Sequence, residues 1–409
     1  MKIAFILGQF PVLSETFILN QITGLIDLGH YVEIFAEVPC EEGKQHPAIA
    51  TYQLATKTHY EPQVPANKLV RLFNLFNVLP KISAKKIISA FRTLNYSRYE
   101  RESLSLRFFY GAIPFLGSNN YDAFVCHFGP NGNKAVRLRD IGAISGKIVT
   151  IFHGYDMTAI PKSCGDNVYE RLFATGDLFL PISEHWRNRL IQMGCDPDKI
   201  IVHRMGVDLE SLTFIPRVIS GGSPIRIITV ARLVEKKGVE YGIRAVAALV
   251  EKFPQITYEI AGDGPLRESL QALIEELGIN NKIRLIGWRS NDEIKRLLRC
   301  AHILLAPSVT AENGDQEGIP VALMEAMAMG LPVISTFHSG IPELIDDGVS
   351  GYLVPERDVD TLALKIFTLI EYPDESTRMA RAGRDKIKTK FDINTLNLKF
   401  EDILKKLVA

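Results

Sequence analysis

Twice along this chain, short apolar runs alternate with segments of helical periodicity, and a proline- and glycine-rich stretch separates the two series. KIAFIL reads as a first strand, followed by a loop and a helix from about Glu15 to Leu28 that Gly29 stops. YVEIFAEV, YDAFVCHF, KIVTIFHG, DLFLPIS and KIIVHRMGVD read as further strands, each ending in a polar or glycine loop. Residues about 37 to 65 read as irregular, and three helix-like segments then run to about Leu116. Residues 211–224, SLTFIPRVISGGSP, hold two prolines and a Gly-Gly-Ser and read as a linker. The second series is IRIITVAR, ITYEIAGDG, KIRLIGW, AHILLAPS, LPVISTF and GYLVP, and SNDEIKRLL has capping-box spacing from Ser290 to Glu293. Strands separated by helices require right-handed crossovers and a parallel sheet. The expected class is α/β: two doubly wound, Rossmann-like domains facing each other across a cleft. Their expected bounds are 1–210 and 225–390, with a last helix, within about 391–409, packing back on either domain. Ligands of such sheets lie beyond the C-terminal strand ends, so the functional loops should follow strands.

The 409 residues suffice for two cores, and 47 basic residues balance 47 acidic ones, so no global field favours nucleic acid. Five scattered cysteines without C-x-x-C spacing argue against a disulfide framework or zinc site and fit a reducing, cytoplasmic compartment. MKIAFILGQFPVL reads as a strand rather than a signal peptide, and no uncharged run reaches the ~18 residues of a membrane span.

The chemistry concentrates in the second series. Arg232, Lys236 and Lys237 follow a strand, in a loop whose cations suit a diphosphate; a solvated basic turn is the alternative. Gly262 and Gly264 in AGDGPL allow close backbone approach, as also in a plain strand-to-helix turn. A long polar segment, Ser308 to Gly318, leads into EGIPVALME, where a helix should begin near Pro320. Glu317 and Glu325, eight positions apart, then flank a helix start that favours an anion. Carboxylates accept from sugar hydroxyls, so a diphosphate between them would set a hexose by one acid and a ribose by the other. A lone buried carboxylate at Glu325 would otherwise be costly.

EGIPVALME resembles the E-x7-E motif of retaining glycosyltransferases of family four, which have the two-domain GT-B fold. ARLVEKKG, AGDGPL, LIGW and PVISTFHSGIPELIDDGVSGYLVP resemble neighbouring signatures of that family in the same order, strongly over about residues 225–360. TIFHGYD, PISEHWRNRL and HRMGVD extend the resemblance more loosely into the first half, and GQFPVLSETFI is most similar to enzymes that build colanic-acid or amylovoran type exopolysaccharides.

The resemblance implies a nucleoside-diphosphate sugar as substrate, UDP-hexose first and GDP-sugar second, with no cofactor. It implies that Arg232 and Lys237 hold the leaving diphosphate, Glu317 the donor hexose and Glu325 the ribose, with His153 beside the reacting sugar. The backbone near Trp288 would meet the base, and Gly318, Ile319, Pro320, Gly340 and Ile341 would lie by the donor. The first loop lacks the family's frequent Gly-Gly pair; Gly8 would keep the close approach, and Ser14, Glu15 and Thr16 would face the acceptor, Ser14 equally suiting an N-cap. His127 is a further acceptor-side candidate, although a structural role suits a lone histidine better. Met205 stands where the family's N-G-V-D pattern has asparagine, so no role is carried there. No Asp-x-Asp pair occupies a strand-end loop, so no metal is expected.

Residues 66–109 are locally basic, with Lys68, Arg71, Lys81, Lys85, Lys86, Arg92, Arg98, Arg101 and Arg107 against Glu100 and Glu102. Interleaved apolar residues suit an anionic membrane surface carrying a lipid-linked glycan acceptor; a solvated helical face is the alternative. Two other functions share the architecture: a non-hydrolysing nucleotide-sugar epimerase and a non-catalytic nucleotide-sugar-binding partner. The E-x7-E and R-x4-K pairing disfavours the first, and His153 with Glu317 the second. The absence of G-x-G-x-x-G after KIAFIL and IRIITVAR argues against a dehydrogenase.

Overall fold

The computed structural model describes residues 1–12, 15–40, 46–67, 70–71, 73, 83, 86–117, 120–217, 219 and 222–409. The first sheet contains β1 (Lys2–Phe10), β2 (Tyr31–Pro39), β3 (Thr58–Tyr60), β4 (Ala123–His127), β5 (Lys147–Phe152) and β6 (Leu178–Pro181). The second contains β7 (Ile225–Val230), β8 (Ile256–Ala261), β9 (Ile283–Gly287), β10 (Ile303–Ala306), β11 (Val333–Thr336) and β12 (Tyr352–Val354). Their orders are β3-β2-β1-β4-β5-β6 and β12-β11-β10-β7-β8-β9, the same topology twice. Every pairing is parallel. Helices cover both faces of such sheets, so their strands are apolar almost throughout; all five residues of β4 are buried. Strand order reverses between β1 and β4 and between β7 and β10, and a crevice opens at such switch points.

Two segments depart from the sequence expectation. The stretch expected to be irregular contains β3, an edge strand of three residues whose THY carries no apolar run. KIIVHRMGVD forms no strand. It lies beside β6 through Ile201 N–H to Phe179 O (3.0 Å) and His203 N–H to Pro181 O (3.0 Å), then leaves the domain.

The chain crosses between domains twice, side by side. Outbound, Ile215 N–H donates to Met329 O (3.1 Å), and Arg217 donates to Ala301 O (2.9 Å) and Leu298 O (3.1 Å) on the second domain. Inbound, Phe391 O accepts from Val207 N–H (2.9 Å), and a Cβ on Gly206 would lie 2.5 Å from that same oxygen. The last helix, Ile393–Val408, then returns to the first domain, where Phe400 and Leu404 enter the core. His203 stacks on Phe400 at 5.1 Å, and Glu401 bonds His30 at 2.8 Å.

The basic segment is partly inward-facing. Arg71 is buried and donates to Ser105 O (2.8 Å), Lys86 to Gly142 O (2.9 Å) and Ala143 O (3.0 Å), and Arg92 to Ile141 O (3.4 Å). Arg98 pairs with Asp140 at 3.3 Å. Arg92, Arg98 and Arg107 are nonetheless exposed, alongside the apolar Phe73, Ile88, Phe91 and Leu104. Lys68, Lys81 and Lys85 lie outside the described residues. Among the described residues no helix is long and apolar enough to cross a membrane.

Candidate active site

The loop after β7 makes a tight turn, Glu235–Lys237, and Gly238 (φ +58°) opens the next helix. Only glycine fits there, since a Cβ would lie 1.9 Å from Pro307 O. This turn aims two ammonium groups at the loop after β10. Lys237 Nζ lies 2.7 Å from Glu317 Oε2, and Lys236 Nζ lies 3.6 Å from Oε1 and 3.0 Å from Asp315 Oδ2. Burial alone would raise the Glu317 pKa; the Lys237 and Lys236 ammonium groups outweigh it and hold the carboxyl below its ordinary range.

The peptide of Glu317 is held from β11. Its N–H donates to His338 Nε2 (3.0 Å), and its carbonyl accepts from Ser339 Oγ (2.6 Å). His338 Nδ1 lies 2.6 Å from Glu356 Oε1.

Pro320 caps the helix Val321–Ala328, as expected, and Glu325 projects from its middle, half-buried. The Glu325 carboxyl has no hydrogen-bond partner among the described residues. Burial pushes its pKa up to about 7, against the pull of Lys295.

The first domain meets these loops directly. A Cβ on Gly318 would lie 2.5 Å from His153 O, and one on Gly340 would lie 3.0 Å from Ser183 Oγ. Glu343 bridges the cleft to Arg204 (2.8 Å) and His185 N–H (3.0 Å), and Lys162 donates to Glu312 O (3.0 Å). His153 Nε2 lies 3.0 Å from His127 Nδ1, and His127 Nε2 lies 3.0 Å from Gln21 Oε1. Burial lowers the His153 pKa to about 3 and keeps His127 well below its ordinary range, so both rings are neutral. His153 Nδ1 is buried without a hydrogen-bond partner among the described residues. Asp156 fixes the turn, accepting from His153 N–H (3.1 Å), Gly154 N–H (2.9 Å) and Gly129 N–H (3.0 Å). Glu15 immediately precedes the helix Thr16–Asp27 and feels Arg232 across the cleft; burial outweighs that attraction and lifts its pKa to about 7.

Of the sequence candidates, Glu317, Gly318, Lys237 and the His153 backbone come together, and His127 sits behind His153. Gly8 faces open space. Arg232 and Trp288 are exposed at strand ends. Ile319 and Ile341 are buried in the second domain's core, and Gly340 caps the short helix Ile341–Leu344. At Gly262 and Gly264 the close neighbours are carbonyls of the β7 loop: a Cβ would lie 1.8 Å from Ala231 O and 2.6 Å from Leu233 O. Ser14 lies outside the described residues. Sequence reasoning gave no role to His338, Ser339 or Glu356, although His338 and Ser339 lie within the quoted stretch PVISTFHSGIPELIDDGVSGYLVP.

Paired sheets of this topology, with their loops meeting across a cleft, are the GT-B architecture. Solved structures share it: Anabaena HepE in complex with UDP and glucose superposes with a TM-score of 0.72 over 99% of this chain and 100% of that one, at 20% identity. Sucrose-phosphate synthase from Thermosynechococcus elongatus gives 0.72 over 100% and 99%, at 16% identity. Residues 14–211 match the model of Glycosyltransferase Family 4, and residues 215–386 match that of Glycosyl transferases group 1. WcaL of Salmonella typhimurium, assigned as a colanic acid biosynthesis glycosyltransferase, is 42% identical over 99% of both chains. The amylovoran biosynthesis glycosyltransferase AmsK of Erwinia amylovora is 40% identical over 100% of both. The chain belongs to glycosyltransferase family 4.

The raised Glu325 pKa predicts a pH-dependent stability. An acid that holds its proton more tightly folded than unfolded costs stability as pH rises from the unfolded value, 4.5, through about 7. Glu325→Gln should therefore match the parent near pH 4 and exceed it by roughly 1–3 kcal/mol at pH 8 in urea titrations. Parallel stability curves would contradict the assignment.

Proposed function

We propose that this enzyme moves a hexose, with retained configuration, from a nucleoside-diphosphate sugar to a hydroxyl of a growing, lipid-linked exopolysaccharide or other cell-surface glycan. UDP is the favoured carrier and GDP the second. The observation that carries the reading is the Lys237–Glu317 pair at the β7/β10 switch point, whose neighbour Gly318 packs against the His153 carbonyl of the other domain. The relatives named for colanic acid and amylovoran synthesis support the polymer class, and the UDP held by HepE supports a uridine carrier.

In this reading the bond from the sugar's anomeric carbon to the diphosphate oxygen breaks, and its electron pair leaves with the diphosphate. Arg232 and Lys237 stabilise that charge best as it develops. The acceptor oxygen bonds the anomeric carbon on the same face, and its proton passes to the departing phosphate oxygen. Glu317, kept ionised by its lysines, accepts from hydroxyls of the hexose, and Glu325 accepts from the ribose. The neutral His153 offers its unpartnered Nδ1 to the sugar. No protein nucleophile and no metal takes part.

Glu317→Gln preserves shape and removes the charge. Turnover should fall by ~100-fold or more while the melting temperature moves by only a few degrees; wild-type turnover would remove Glu317 from the site. Epimerisation of the donor in the absence of any acceptor would favour the isomerase instead.

The exposed Ile88, Phe91 and Leu104 support peripheral contact with the membrane carrying the acceptor. The protein should float with anionic phospholipid vesicles, and Phe91→Glu should weaken this. Protein remaining in the soluble fraction would contradict that contact.

A further inference from the structure

We infer that His338, Ser339 and Glu356 are positioning residues that clamp the Glu317 peptide and so aim its carboxylate. The inference rests on the reading of Glu317 as the residue that holds the donor sugar. Glu317 lies in a stretch without helix or strand between β10 and the helix Val321–Ala328, and each residue there has two soft backbone dihedrals. A group that must meet a reacting sugar needs placement to within about 0.5 Å. Lys237 and Lys236 fix the carboxylate end, but they are flexible and Lys237 is also required by the diphosphate. The peptide end needs its own support.

That support comes from one dipeptide. His338 takes the Glu317 N–H at 3.0 Å, and Ser339 gives its hydroxyl to the Glu317 carbonyl at 2.6 Å. A backbone amide only donates, so His338 Nε2 must carry the lone pair and Nδ1 the proton. Nδ1 points at Glu356 Oε1, 2.6 Å away, which locks the tautomer and the ring. The other Glu356 oxygen accepts from Thr310 N–H at 2.8 Å. One carboxylate thus ties down both ends of the loop, Thr310 directly and Glu317 through His338. His338 is 1% exposed, so water does not compete for these bonds. Ser339 sits at φ +51°, a conformation that glycine adopts without strain and serine does not. A strained serine is explained by what its hydroxyl does.

These features separate aiming from folding. Ser339→Gly relieves the backbone strain and deletes the hydroxyl, so kcat/KM should fall ~10-fold while the melting temperature stays level or rises. His338→Gln keeps an acceptor near the Nε2 position and should retain most activity. His338→Asn keeps only the Nδ1 side, the bond to Glu356, and should lose ~10- to 100-fold, chiefly in kcat. Equal activity of Ser339→Gly, His338→Asn and the parent overturns the clamp, as does a loss that tracks melting temperature across all three. Glu317→Gln is assayed alongside. If it is impaired while the clamp variants are not, the clamp alone fails; if it is fully active, the site reading and the clamp fail together.

Discussion

The ion pair between Lys237 and Glu317 joins the two loops that flank the second domain's switch point, and much of the surrounding structure serves to keep it in place. A carboxylate this deep would shed its charge if it stood alone. Two ammonium groups on one turn prevent that, and the turn exists because Gly238 takes φ +58° against the Pro307 carbonyl. The carboxylate therefore stays an acceptor at neutral pH, as sugar recognition requires. Lys237 is also, with Arg232, one of the two cations assigned to the diphosphate in the proposed reaction. One ammonium then connects the sugar and its leaving group, which makes the pair a coupling element as well as a structural one.

The first domain supplies the opposite wall with little charge. His153 and His127 are neutral by burial, and their hydrogen-bond chain ends in an Nδ1 without a partner among the described residues. Formal charges meet elsewhere in the cleft, at Glu343–Arg204 and between Glu15 and Arg232. The paired crossings at Gly206 and Phe391, with the last helix returned to the first domain, leave the two domains linked by adjacent strands of chain. Such a connection permits the domains to move as units, so cross-cleft contacts can form and break without disturbing either core.

Much of the fold was legible because its signals are local. Alternation of apolar strands and helices and the Ser290 capping box each follow from residues near one another in sequence. β3 was not legible, since THY becomes a strand only through pairing with β2. The inward turn of Arg71 and Lys86 was equally hidden; a basic side chain reads the same whether its partners are water or protein carbonyls. At the site, the E-x7-E spacing drew attention to Glu317 and Glu325, and the basic loop to Lys237. His338, Ser339 and Glu356 escaped because their roles depend on contacts 18 to 22 residues apart, made between strand ends. Gly262 and Gly264 show the converse: the sequence asked for close approach, and the neighbouring β7 loop meets that need.

The central claim is that this cleft holds a nucleoside-diphosphate sugar, and the most direct test is thermal unfolding with UDP, GDP, ADP and NAD, each with and without a chelator. A ligand at ~100 times its dissociation constant stabilises the fold by about 2.7 kcal/mol, a readable shift in melting temperature. Such a shift is expected with UDP, or with GDP if the carrier differs, unchanged by the chelator. A shift with NAD alone, or none with any nucleoside diphosphate, would contradict it.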